Sequence, residues 1–300
     1  MIELNVKWVK LKINLTWSIL IMMFQINIIA LGQQISGTVT EMNGDIPVEF
    51  VNIGIVGKNV GTVSDRNGKY TLQVNPKYQD DTLRFSSIGY RTYSVKVSDF
   101  LKLNNGNVSF EKMTYDITEV VVRPQKVNQK ILGITTKNKS KKHCILSTAN
   151  NSCTTNGGLE FGVIIRNNET VFINEININL AKFSFDSISF RINIYQPDKH
   201  LKFTNILRNP VLHSVSEQEI VKNKNKITVD VRHHNIVLDG DFLVTFELLA
   251  SEFSTKDDFL LCFCTSLFSH PTTYTKFTSQ GTWWQMPHGI SISVLVDVEK

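Results

Sequence analysis

Ile188-Ser189-Phe190-Arg191-Ile192-Asn193-Ile194-Tyr195 alternates an apolar side chain with a polar or amphipathic one at every step. A helix would gather residues three and four apart onto one side. A strand sends successive side chains to opposite faces, so this stretch reads as a strand with one face in a core and the other toward water or an adjoining layer. The same period of two recurs at Ile176, Ile178 and Leu180, at Ile227, Val229 and Val231, and at Ile290, Ile292, Val294, Val296 and Val298. With Leu159 to Arg166, Asp241 to Leu249 and Phe259 to Leu267, about eight strands and no long helix are expected beyond residue 157. The architecture expected for 157–300 is a jelly-roll-like β-sandwich.

The chain has 300 residues, enough for two ordinary domains, and its 42% apolar and 20% charged content describes a globular protein. Upstream, short strand-like runs such as Ile35 to Thr40, Lys69 to Val74 and Thr82 to Ser87 follow one another with turn chemistry between them. Asp65-Arg66-Asn67-Gly68 reads as one such turn, because Asp can accept from nearby backbone N–H groups and Gly tolerates positive φ. The same four residues resemble the start of a calcium loop, but the later glutamate ligand is missing. The whole chain is therefore expected to be all-β.

Four blocks in this region fall in a known order. They are Ile35-Ser36-Gly37-Thr38-Val39, Pro47-Val48 with Val51-Asn52-Ile53, Gly61 to Asp65 with Gly68-Lys69-Tyr70, and Leu83 to Tyr90. Together they make segment 34–113 resemble the carboxypeptidase-regulatory-like domain. The resemblance implies a transthyretin-like seven-stranded sandwich without catalytic residues, of the kind that accompanies metallocarboxypeptidases or precedes TonB-dependent receptors and other Gram-negative surface proteins. The loop Asn43 to Pro47 departs from the pattern, which bears on a local turn only. Ile117 to Val122 is similar to the acidic-valine segment that often follows this module, and is expected to be an edge strand or the start of a linker. Gly158 to Gly162, Phe190 to Tyr195, Val229 to Val231, Asn235 to Leu238, Asp241 to Glu247 and Thr282 to Trp284 make the later domain look like one often paired with the module in envelope proteins, and that likeness implies no activity.

Residues 1–32 read as an export signal: Lys7, Lys10 and Lys12 precede a largely apolar run, and Ala30-Leu31-Gly32 suits cleavage before Gln33. The alternative is a retained membrane anchor, which Asn14, Gln25 and Asn27 would make costly. The net charge of +5 is uneven, since Arg123 to Gly157 carries seven Lys or Arg and no acid. Segment 114–156 is accordingly expected to be a solvated basic linker, with contact to anionic glycan or phosphate as the sharper alternative. An exported chain without basic residues interleaved with aromatics is not expected to bind nucleic acid.

Export favours oxidised cysteines. Cys144 and Cys153 are the expected disulfide, and Cys262 and Cys264, two apart on one strand face, are expected to be buried free thiols. His143, Cys144 and Cys153 lack paired metal-ligand spacing, and no zinc-hydrolase or nucleophile motif occurs, so neither a metal, a cofactor nor enzymatic activity is expected. His233-His234, as neighbours on a strand, would face opposite ways; Glu160, Glu247 and Asp241 would meet only by tertiary accident. The one binding candidate is Trp283 and Trp284 with Tyr274, His288 and nearby Phe277, since aromatic faces stack on sugars. The competing reading puts one Trp in the core and its neighbour at the surface. The expectation is a non-enzymatic exported envelope protein whose partner is another envelope protein or a glycan, associated with the outer membrane. A carbohydrate-binding module is the alternative, and an accessory to a metal-dependent hydrolase a third.

Overall fold

The computed structural model describes residues 32–42, 44–103, 105–113, 126–147, 157–252, 259–266 and 272–299. The expected leader, Ile117 to Val122 and Cys153 lie outside these residues.

The N-terminal body is built from β1 (Gln33–Glu41), β2 (Asn52–Ile55), β3 (Gly61–Val63), β4 (Lys69–Val74), β5 (Thr82–Ser86), β6 (Tyr93–Lys96), the single-turn α1 (Val97–Phe100) and β7 (Val108–Phe110). They form a three-stranded sheet, β4-β1-β7, and a four-stranded sheet, β3-β2-β5-β6. That is the seven-stranded, two-sheet arrangement the resemblance implied. Alternation along β4 buries Tyr70, Leu72 and Val74 and exposes Lys69, Thr71 and Gln73. The buried set meets Ile53, Ile55, Leu83 and Phe85 of the other sheet in a core of its own. Asp65 caps the β3–β4 turn, its Oδ1 accepting from the N–H groups of Asn67 and Lys69 at 2.8 Å each, which bears out the turn reading.

The second body holds β8 (Val127–Gly133), β9 (Lys142–Ser147), β10 (Leu159–Ile165), β11 (Val171–Ser184), β12 (Ser187–Pro197), β13 (Phe203–Asn205), β14 (Val211–Ser216), α2 (Glu217–Lys222), β15 (Lys226–Asp230), β16 (Val237–Leu238), β17 (Phe242–Glu252), β18 (Phe259–Ser266), β19 (Thr273–Lys276), β20 (Trp284–Met286), β21 (Gly289–Ile290) and β22 (Ile292–Glu299). One sheet has seven strands, running β13-β12-β17-β10-β19-β20 with β14 also on β12. The other has eight, running β21-β18-β11-β22-β8, with β15 and β16 on β11 and β9 on β18. Their facing apolar sets, including Ile192, Phe246, Ile176 and Val294, make a second, larger core. The expected all-β sandwich is thus observed, cut into more and shorter strands than periodicity alone suggests. α2 is stopped from fraying by a capping box between Ser216 and Glu219.

Three expectations are corrected here. First, β8 and β9 fall inside the stretch read as a basic linker. β8 pairs with β22 and β9 with β18, so part of that stretch is a sheet edge whose lysines point outward, Lys130 meeting Glu169 at 2.6 Å. A solvent-facing edge strand tolerates Lys at alternate positions, which makes its composition resemble a tether. Second, Cys144 pairs with Cys262, directly opposite on β9 and β18, and not with Cys153. Cys262 is therefore no free thiol, while Cys264 is free and buried. The pairing was hidden because 118 residues separate the partners and only strand register brings them together. Third, His233 and His234 occupy a 3-10 turn, Arg232–His234, and not a strand.

Candidate functional site at the seam between the two sandwiches

β12 reaches the core with Ile188, Phe190, Ile192 and Ile194; its other face carries Arg191, Asn193 and Tyr195. In a free sheet these would meet water. Arg191 is instead 2% exposed, with the N-terminal body against it, and Asn193 is 2% exposed among Glu160, Glu247 and Asn205. Register then builds a row across four strands. Arg191 sits opposite Glu247, Glu247 opposite Glu160, and Glu160 opposite Lys276. The order of charge across the sheet is plus, minus, minus, plus.

Each group in the row has partners. Arg191 donates Nε and Nη2 to the two carboxylate oxygens of Glu247, both at 2.9 Å. Its remaining donors cross to the N-terminal body, Nη1 to the carbonyl of Phe50 and Nη2 to Asn52 Oδ1, again at 2.9 Å. Asn193 Nδ2 donates to Glu160 at 3.0 Å and to Glu247 at 2.8 Å, bridging the two carboxylates. Tyr195 OH and Thr245 Oγ1 also donate to Glu160, while Lys276 Nζ lies 2.6 Å from Glu160 Oε2. Burial alone would push the Glu247 carboxyl upward; the Arg191 guanidinium, Lys276 and the Asn193 amide outweigh it and hold the group below its ordinary value. Burial, then the two glutamates, push the Tyr195 phenol well above its ordinary value.

Glycines let the bodies approach closely. Gly54 and Gly61 face each other across β2 and β3. A Cβ on Gly54 would stand 2.5 Å from the carbonyl oxygen of Ser279, and one on Gly61 nearer still. The loop carrying Ser279 therefore lies flat on the module. Ser279 Oγ donates to Asn52 at 3.0 Å, Gln280 Nε2 donates to Ser86 at 2.7 Å, and the Gly57 N–H donates to the Gln280 carbonyl at 2.9 Å.

Beside this seam runs a cleft of about 910 Å³, walled by the outer face of the module's four-stranded sheet on one side and by β12, β13 and the loop before β20 on the other. Trp283 lines it, edge-on to Phe203 with centroids 5.2 Å apart and to Tyr195 at 5.7 Å, with Lys276 Nζ 4.5 Å from its ring centre. Tyr274 is buried beneath, against Phe203 at 5.2 Å.

The expected binding set is thus split. Trp283 and Tyr274 share one cluster. Trp284, the first residue of β20, does not join it and is 54% exposed, and Phe277 is 46% exposed. His288 leaves the cluster altogether, its Nε2 lying 3.1 Å from Nδ1 of His143. Asp241 is likewise apart, paired with Arg166 and accepting from the Asn167 N–H, whereas Glu160 and Glu247 do meet. Sheet register, not chance, puts them side by side. The charge row was missed because each member sits on a different strand. The available signal was the matching polarity of Arg191, Glu160 and Glu247 at positions whose flanking residues are all apolar.

A comparison with curated proteins gave no match. Among solved structures the chain is similar to one of the infectious bursal disease virus Gt strain, at 8% identity over 88% of this chain and 62% of that one, with a TM-score of 0.28. It is also similar to one of the Gx strain of the same virus, at 11% identity over 89% of this chain and 59% of that one, with a TM-score of 0.25. The chain spans less than two thirds of the length of either, and similarity this slight carries nothing about fold or function. The sequence blocks and the seven-strand arrangement point elsewhere, and over residues 35–122 the chain matches the family of the CarboxypepD_reg-like domain.

Proposed function

We propose that this is an exported, non-enzymatic envelope protein in which a carboxypeptidase-regulatory-like module and a second sandwich act as one rigid binding or display unit. The observation that carries the reading is the use made of the buried Arg191-Glu247-Glu160-Lys276 row. Its reactive-looking groups are spent on one another and on the backbone of the module, so they fix the angle between the bodies. Buried polar pairs contribute little net stability against an apolar core, but they penalise any other docking angle by leaving charges unpaired. A fixed angle is what a spacer or interaction module needs. The apolar, polar-flanked start of the chain supports export, and the family of the first module supports a non-catalytic role.

Two measurements test this. Fractionation of Gram-negative cells expressing the full chain should place it in the envelope, with a mature N-terminus at Gln33. Crosslinking and pull-down from outer-membrane extract should then recover a partner that a seam-broken variant, Arg191→Met, captures poorly. Recovery in the cytoplasm with an intact N-terminus would overturn export, and hydrolysis of a peptide or glycan by the pure protein would overturn the non-enzymatic role.

A second reading, a carbohydrate-binding protein, draws support from the position of Trp283. It lies in the wall of a cleft beside Phe203 and amide side chains, the combination that sugars stack on and hydrogen-bond to.

A further inference from the structure

The cleft beside the seam has a one-sided charge composition. Arg84, Arg191 and Lys276 line it, and among the described residues no Asp or Glu does. Two of these cations are already balanced from behind, Arg191 by Glu247 and Lys276 by Glu160. Arg84 differs. Its Nε donates to Ser94 Oγ at 3.3 Å, and it has no carboxylate partner among the described residues. It stands opposite Gly54 in the module's sheet, so no neighbouring side chain on that strand crowds it.

The rest of the lining is equally selective. Trp283 and Phe203 line the cleft too, with the amides of Gln280 and of Asn205, the latter fixed by donating to Asn193 Oδ1 and accepting from the Leu207 N–H, each at 3.0 Å. Gln280 is held at a φ of 63°, a left-handed conformation uncommon for a residue with a side chain. The turn that holds it, closed by the Gly281 N–H on the Thr278 carbonyl, is tied to the module through Ser86 and Gly57, which sets the amide in the cleft wall. Such outliers concentrate where geometry serves binding. At about 910 Å³ the cleft lies near the upper end of the range for small-molecule sites, which suits a short oligomer better than a single sugar.

Aromatic surface, fixed amides, hydroxyls and one unneutralised guanidinium together specify a hydroxyl-rich, negatively charged chain. We propose that this cleft binds an acidic glycan, with a sugar carboxylate on Arg84, hydroxyls on Asn205 and Gln280, and a ring face against Trp283. The inference rests on the reading of the protein as a binding unit and names its ligand class. Charge-assisted, bidentate hydrogen bonding makes an arginine suited to a carboxylate.

Isothermal titration of the full chain with trigalacturonate tests it, using the fully methyl-esterified trisaccharide as a matched uncharged probe. The acid should bind, and the ester should bind at least about tenfold more weakly, the fold-change of one lost charge-assisted contact. Arg84→Ala should erase that difference, Arg84→Lys should restore part of it, and Trp283→Ala should weaken both probes alike. Circular dichroism and melting of each variant separate lost binding from lost folding; Arg84 is partly exposed, so its variants should melt as the parent does. Equal affinity for acid and ester, an unchanged affinity in Arg84→Ala, or no binding of the acid would overturn the proposal. If the acid fails while envelope pull-down still captures a partner, the ligand class falls and the binding-unit reading stands. If both fail, both fall.

Discussion

Replacing Arg191 by Met tests the physical basis of the seam most directly. The substitution keeps much of the side chain's apolar stem and removes four hydrogen bonds of 2.9 Å, two to Glu247 and two to the N-terminal body. Glu247 is 1% exposed, so its charge would be left buried with Asn193 and the more distant Lys276 as its support among the described residues. Breaking a buried pair by removing one partner costs about 3–5 kcal/mol. For sandwiches of this size that corresponds to a fall in melting temperature of roughly 6–20 °C. The pH dependence carries a second signature. In the parent, the folded pKa of Glu247 lies below its ordinary 4.5, so its contribution is present above that value and drains away as pH falls through the folded pKa. Without the guanidinium, burial dominates and the carboxyl is pushed upward, so the gap between variant and parent should narrow as pH falls from about 7 toward 5. Urea unfolding at several pH values measures both effects. Arg191→Met with Glu247→Leu should recover at least half of the loss, because removing both charges leaves neither unpaired. A single-variant cost below about 1 kcal/mol, or a double variant no better than the single, would refute the argument that the row is an interdependent charge network.

Gly61→Val should open the seam, since its Cβ meets the Ser279 carbonyl; about 1–3 kcal/mol of destabilisation and a larger radius of gyration by small-angle scattering are expected. Cys262→Ser should lower stability by about 2–5 kcal/mol under oxidising conditions and by clearly less in reductant, where only the exchange of a buried thiol for a hydroxyl remains, and non-reducing peptide mapping of the parent should recover Cys144 joined to Cys262. His143 and His288 both have pKa values depressed by burial, with His143 further lowered by His288, so the neutral pair supports the fold above the ordinary value of 6.5 and loses that contribution as pH falls. Melting between about pH 7.5 and 5 should show this slope, and His288→Gln should flatten it.

Much of the fold was legible because strand formation is a local matter. Period-two alternation in 188–195 and 292–298 states both that a strand forms and which face is apolar, and the block order from Ile35 to Tyr90 was enough to identify the first module. The turn at Asp65 to Gly68 was equally local, since one carboxylate serves two N–H groups within four residues. The candidate site was legible only in part. Trp283 was singled out, but grouping it with Trp284 and His288 ignored that β20 begins only at Trp284 and that a bend at Pro287-His288 redirects the chain before β21.

What the sequence determined by itself, then, is which residues are apolar, in what period, and hence that two bodies each have a strand-built core. Tertiary structure alone decided what covers the polar faces. Arg191, Glu247, Glu160 and Lys276 come from four strands, and Cys144 and Cys262 from two, brought together by register across tens of residues. Periodicity says that a side chain leaves the core; it cannot say whether water or a second sheet waits on the other side. That depends on Gly54 and Gly61 admitting the Ser279 loop, a steric fact about two distant segments that no local pattern contains.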